Sequence, residues 1–198
     1  MKNRGPQLPH FGDDFLQSGS SVIHFYYSRQ EQLRFEEFLN EGLRQGCGVV
    51  LAATPDVLAR FAGVRAPRFT RRRGELRRVE LGTELGELNT SIEVLVQAIH
   101  EELLERSKVR VLADFASLVT QDDVFEVEAD LSSALHGLPV IMVTQYDGNA
   151  VSAPITLEQF KTHSLAVVGN AFYYENRHSI PPEQYYRKRR AVARAAGR

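Results

Sequence analysis

Residues 42–61, GLRQGCGVVLAATPDVLARF, hold a glycine-punctuated turn, an apolar β-branched run over 48–53 and a helix start directly after it. Thr54 is a good N-cap residue and Pro55 suits a first helical turn, so the strand-to-helix junction is expected at Ala53-Thr54-Pro55. In α/β proteins such a junction is where a phosphate-binding loop sits, because the free N–H groups and the dipole of a helix start both attract an anion. A triphosphate loop needs glycines that let the backbone wrap the phosphates, a lysine to neutralise them and a hydroxyl for magnesium. AATPDVLA has neither those glycines nor that lysine. Thr54 at this corner and Asp114 at a later strand end are therefore read as a degenerate nucleotide site.

Upstream, VIHFYY (22–27) is a β-branched and aromatic run that fits a buried strand, and Ser28-Arg29-Gln30-Glu31 matches the S-x-x-E capping box. The helix that follows places Phe35, Phe38, Leu39, Gly42 and Leu43 on one face and ends at Gly46 and Gly48. Downstream, the pattern predicts a short helix over 55–61, a strand over 76–81, and a long helix opened by a second capping box, Thr90-Ser91-Ile92-Glu93. Next come a strand at VRVLADF (109–115), a helix over 122–136 ended by Gly137, and a strand at VIMVTQY (140–146). A short helix over 156–163, a strand over 165–169 and a basic closing helix over 181–196 complete the chain. Apolar strands alternating with helices predict an α/β fold of three layers, α/β/α, with a mostly parallel central sheet. Residues 1–20 are expected to be a poorly ordered lead-in, 21–186 one domain and 187–198 a basic tail.

The 198 residues, 43% of them hydrophobic, suffice for one sizeable core. No apolar run approaches the roughly 20 residues of a membrane span, and the first residues lack a signal peptide's apolar segment. A cytoplasmic protein with no membrane partner is expected. The single cysteine, Cys47, excludes an intramolecular disulfide and is read as a small buried filler. Net charge is only −1, but residues 65–78 carry seven arginines against one acid and 187–198 six basic residues with none, on an otherwise acidic chain. Guanidinium groups suit bidentate phosphate binding. Two readings of Arg71, Arg72, Arg73, Arg77 and Arg78 stand: a solvated loop paired with the acidic body, or an anion site for a phosphorylated effector. The basic tail lacks the aromatic or groove-fitting elements that nucleic-acid contact wants, so nucleic acid is not an expected partner.

Catalytic signatures are missing. Residues 109–114 have the form of a Walker B strand, apolar and ending in an acid. Asp114 is then either a strand-end carboxylate bonded to backbone or to a basic side chain, or the remnant of a nucleotide site. No H-E-x-x-H or C-x-x-C provides metal ligands, and no G-x-S-x-G provides a nucleophile. Gly46-Cys47-Gly48 precedes its strand, the wrong order for cradling a dinucleotide. No catalytic residue, metal or cofactor is expected. His24 lies in a strand on the side opposite Ile23 and Phe25 and is read as buried and hydrogen-bonded, whereas His163 closes a helix and can cap its last carbonyls. Aromatics at 25–27, 146 and 172–174 should gather near the ends of a parallel sheet, where small-ligand pockets form.

Taken in order, VIHFYYSRQEQLRFEEFLNEGLRQGCGVVLAATPD, LPVIMVTQYD and KTHSLAVVGNAFYYENRHSIPPEQYYR resemble the MEDS sensory domain, a family named from methanogen and methylotroph regulators and similar to a degenerate RecA-like ATPase. The matching features are the HFYxS start, EGLRQG before VVLAAT, the QYD strand end and THSLAVVGN, over about residues 22–187. The arginines of 66–84 depart from the pattern. The resemblance implies a RecA-like fold and a non-catalytic sensory or regulatory domain of bacterial signal transduction. It also implies a small ligand, a protein partner such as a histidine kinase or an anti-sigma-type regulator, or both. By the same resemblance His24, Tyr26, Tyr146, Asp147 and His163 hold the family's characteristic positions and line its pocket. A homodimer is an expectation at the level of RecA-like domains. The alternatives are a receptor for a cyclic dinucleotide or other phosphorylated effector through the arginines of 65–78, and an ATP-dependent RecA-like enzyme.

Overall fold

Apolar runs become the sheet and amphipathic runs cover it. The computed structural model describes residues 19–64, 76–83, 85–115, 124–169, 172–181, 184–185, 187–188 and 191. β1 (Ser21–Tyr26) leads through α1 (Arg29–Gln32), a 3-10 turn (Leu33–Phe35) and α2 (Glu36–Gln45) into β2 (Gly48–Ala53) and α3 (Pro55–Arg60). β3 (Leu76–Glu80), α4 (Leu85–Glu105), β4 (Val109–Asp114), α5 (Val124–Ala134), β5 (Val140–Asp147), α6 (Ala153–Thr162), β6 (Leu165–Val168) and β7 (Phe172–Glu175) follow. The seven strands form one sheet in the order β3-β2-β4-β5-β1-β6-β7. Every neighbouring pair is parallel except β6 with β7. The fold is α/β with a mostly parallel sheet in a three-layer, RecA-like arrangement.

Alternation of side chains along each strand divides the core in two. On one face Val22, Val49, Leu51, Leu112 and Val143 pack under α2 and α3 through Phe38, Leu39, Leu43, Val57 and Phe61. On the other, Ile23, Phe25, Val50, Val111 and Met142 pack under α4 and α5 through Leu95, Ile99, Val127 and Leu131. With both faces covered, the central strands must be apolar throughout. Arg110 in β4 is an exception, only 1% exposed. Its guanidinium donates to the Phe38 carbonyl at 2.9 Å and to Gln45 Oε1 at 2.7 Å, and lies 5.0 Å from the centroid of the Phe38 ring. The fork thus clamps α2 onto the sheet. That approach needs glycine at 42, where a Cβ would stand 2.8 Å from Arg110 Cδ and 3.0 Å from Val49 Cγ2.

Several local expectations are corrected. Thr54 occupies the N-cap position of α3, but its side chain makes no cap bond to the helix backbone; its hydroxyl donates to Asp56 Oδ1 instead. The second capping box does not open α4, which begins at Leu85 and runs through Thr90. Ser91 serves within the helix, donating to the Glu87 carbonyl at 2.8 Å and accepting from Gly82 N at 3.0 Å. α6 starts at Ala153, three residues before the expected 156, because Pro154 fits its first turn. Phe172–Glu175, read only as clustered aromatics, is the antiparallel edge strand. The capping box at Ser28 does form, with Ser28 Oγ accepting from Glu31 N at 3.3 Å, although Glu31 reaches back to Tyr27 N rather than Ser28 N. Residues 1–18, 182–183 and most of the tail lie outside the described residues, and with them most of the closing helix over 181–196. Among the described residues no helix is long and apolar enough to cross a membrane.

Gly42→Ala is expected to lower the unfolding free energy by about 1–3 kcal/mol through overpacking against Arg110. Urea denaturation measures it, and an unchanged midpoint would contradict the clamp.

Candidate functional site

Two polar regions stand out, at opposite ends of the central strands and on opposite faces of the sheet. The first is the corner where β1 turns into α1. Ligands of open α/β sheets bind at the carboxyl ends of strands where neighbouring connections part to opposite faces. β1 meets this condition: its chain continues into α2 on one face, while adjacent β5 leads to α6, whose Phe160 packs on the other. The expected location, β2 to α3, meets it too, since β2 leads to α3 on one face and adjacent β4 to α5 on the other, and it flanks the same corner. Thr54 and Asp114 both lie there, at the ends of the neighbouring strands β2 and β4.

The corner is filled by Gln32, wholly buried at the end of α1. Its Nε2 donates to Asp114 Oδ2 at 2.8 Å and to the Tyr26 hydroxyl at 2.9 Å. Its Oε1 accepts from Arg60 Nη1 at 3.1 Å, and its backbone carbonyl accepts from Gln145 Nε2 at 3.0 Å. Asp114 therefore accepts from a side-chain amide. Burial, then the Asp114 and Asp147 carboxylates, push the Tyr26 hydroxyl far above its ordinary range, so it stays protonated. Below lies His24, its ring tilted against that of Phe35 with centroids 4.9 Å apart and its Nδ1 facing Gln145 Nε2 at 2.8 Å. An amide donor on Nδ1 puts the histidine's proton on Nε2. The Gly169 backbone lies nearby and favours that proton, but among the described residues Nε2 has no partner within hydrogen-bond geometry. Burial first, and the Arg34 charge second, push His24 down to about 3, so the imidazole is neutral.

The second region is a cavity of about 320 Å³ on the α5 and α6 face, toward the start of β1 and β5. Leu131, Leu135, Val140 and Met142 line it on the apolar side, and Glu128, Thr144 and His163 on the polar side. His163 directs Nδ1 at the Gln159 carbonyl, 3.1 Å away, and so caps α6. Its Nε2 faces the Thr144 hydroxyl at 3.3 Å. Glu128 accepts a hydrogen bond from Tyr146, whose hydroxyl is pushed far up by burial and then by the Glu128 charge.

The five residues assigned to one pocket by resemblance therefore divide. His163 lines the cavity, and Tyr146 reaches it only through Glu128. His24 and Tyr26 belong to the corner on the opposite face, and Asp147 pairs in register with Tyr26 at the end of β5. Asp147 Oδ1 accepts from Asn149 N at 2.9 Å and closes a turn. Of the arginine cluster, Arg71, Arg72 and Arg73 lie outside the described residues. Arg77 is already paired, with Glu102 at 2.7 Å and with Glu101, and Arg78 is exposed on the edge strand. Gln32, Arg60, Glu128, Thr144 and Gln145 escaped the sequence reading. Gln32 and Glu128 had a visible signal, since each falls on the apolar stripe of its helix, in step with Phe35 and Leu39 or with Val124 and Leu131.

Among the described residues no cluster of three or more His, Cys, Asp or Glu could hold a metal ion. No family model matches the chain, and no curated protein matches it.

His24 takes up a proton below pH 6.5 when unfolded but only below about 3 when folded. Its contribution to stability is thus complete above pH 6.5 and is lost as pH falls toward 3. Urea midpoints of wild type are expected to report a loss of about 1.5 kcal/mol between pH 6.5 and 5, above the carboxylate range. His24→Gln should flatten that slope, and an equal slope in the variant would contradict the assignment.

Proposed function

We propose that the chain is a non-catalytic sensory or regulatory domain, of the kind the MEDS resemblance implies, that answers to a small ligand and hydrolyses no nucleotide. The observation that carries this reading is the occupation of the β1–α1 corner by the chain's own side chains. A phosphate there would have to displace Gln32 from Asp114, Tyr26 and Arg60 at once. It would gain no glycine loop and no lysine, because only Tyr27 and Ser28 separate β1 from α1. An anion would also meet the Asp114 carboxylate, only 2% exposed. The phosphorylated-effector reading is weakened by Arg77, whose charge Glu101 and Glu102 already balance. In bacterial signal transduction such a domain passes its ligand state to a partner, for which a histidine kinase or an anti-sigma-type regulator is the class the resemblance offers.

Calorimetry with magnesium-ATP is expected to give no saturable heat at millimolar nucleotide, and wild type and Asp114→Asn should release phosphate at the same background rate. Turnover that Asp114→Asn abolishes would make the chain an enzyme and end this reading.

A further inference from the structure

The cavity against α5 has an electrostatic character that the function proposed above does not specify. Among the described residues Glu128 is the one acid that lines it, and no lysine or arginine does. The side chain is 5% exposed. One carboxylate oxygen takes the Tyr146 hydroxyl, and among the described residues that is the group's sole hydrogen-bond or ion-pair partner. An ionised carboxylate offers about four acceptor positions, and the second Glu128 oxygen, without a partner among the described residues and not sealed off, is accessible to a charged donor in the cavity.

Beside Glu128 the described polar lining is neutral: Thr144 and His163, with Ser20, Ser21, Ser132, Thr162, Ser164 and Ser179. His163 Nδ1 lies 3.1 Å from the Gln159 carbonyl and 3.0 Å from Thr162 Oγ1, and in the tautomer that donates Nδ1–H to that carbonyl Nε2 is an acceptor. The Thr144 hydroxyl beside it can turn its single proton to Nε2 at 3.3 Å or to the Val22 carbonyl at 3.4 Å. His136, the remaining titratable lining residue, stands at the exposed rim. Among the described lining residues Glu128 thus places a lone carboxylate on a space whose other wall is aliphatic, and whose volume lies at the small end of the roughly 300–1,000 Å³ range of ligand pockets.

We infer that this cavity is the sensory site, and that it takes a small primary amine, with the ammonium group on Glu128 and the carbon body against Leu131, Leu135 and Met142. The inference rests on the non-hydrolysing reading and adds the ligand's class. Carboxylates and phosphates are turned away by the charge that attracts the amine.

Butylammonium, butanol and butyrate, equal in shape and different in charge, test it when titrated into the full chain. Calorimetry and the ¹³C-methyl signals of Leu131, Leu135 and Met142 are the readouts. Butylammonium is expected to shift those signals and to bind at least tenfold more tightly than butanol, with no shift from butyrate. Glu128→Gln keeps the shape and should erase the preference. Tyr146→Phe releases the occupied oxygen and should preserve or tighten amine binding, an outcome that a merely structural glutamate would not produce. Butyrate binding, equal affinity for amine and alcohol, or a preference that survives Glu128→Gln would overturn the amine assignment. Those outcomes leave the non-hydrolysing reading standing, since that reading fails on ATP turnover, which these probes do not report.

Discussion

The side-chain amide of Gln32 determines what this sheet can do. It is wholly buried, and all of its polar positions are taken: two N–H groups by Asp114 and Tyr26, the oxygen by Arg60. Burying an amide without partners is costly, so the arrangement is stable only as a set. Removing any one member leaves the others with open bonds inside the protein. The consequence is a corner locked in the place where an α/β protein of this topology would open to a ligand. α1 is a single turn, and the 3-10 turn after it lets Phe35 descend onto His24 while Gln32 stays directed at the strand ends.

The two polar regions meet in β5. Thr144 points to the cavity, Gln145 to the corner, and Tyr146 back to the cavity side, where it holds Glu128. Period-two alternation of one strand thus serves both faces with consecutive residues. Gln145 lies between them, bonded to His24 and to the Gln32 carbonyl. A shift of β5 by a fraction of an ångström would be felt at both places, since packed interiors do not absorb strain locally.

The layers, the parallel sheet and most strands were legible in the residues, because continuous apolar runs such as VVLAA and VIMV have few uses other than a doubly covered strand. Helix starts were less legible. Thr54 and Thr90 both have capping side chains, yet one hydroxyl goes to Asp56 and the other residue lies inside α4, because position in the packed helix overrides local preference. β7 escaped because its aromatic residues also fit a pocket wall, and nothing local marks an antiparallel edge. The site was the least legible part. His24 is buried and bonded as read, and His163 caps its helix as read, but only the packed structure shows that they belong to opposite faces. Glu128 and Gln32, polar residues on apolar stripes, were the overlooked signals.

A double-mutant cycle between Gln32→Leu and Asp114→Leu, read as unfolding free energy in urea, tests most directly whether the corner is held shut from within. A hydrogen bond to a buried carboxylate predicts a coupling of about 1.5–3 kcal/mol, with each single variant less stable than additivity from the double variant implies. A coupling near zero would mean that Gln32 does not close the corner, and that the ends of β1 and β4 are open to an anion after all.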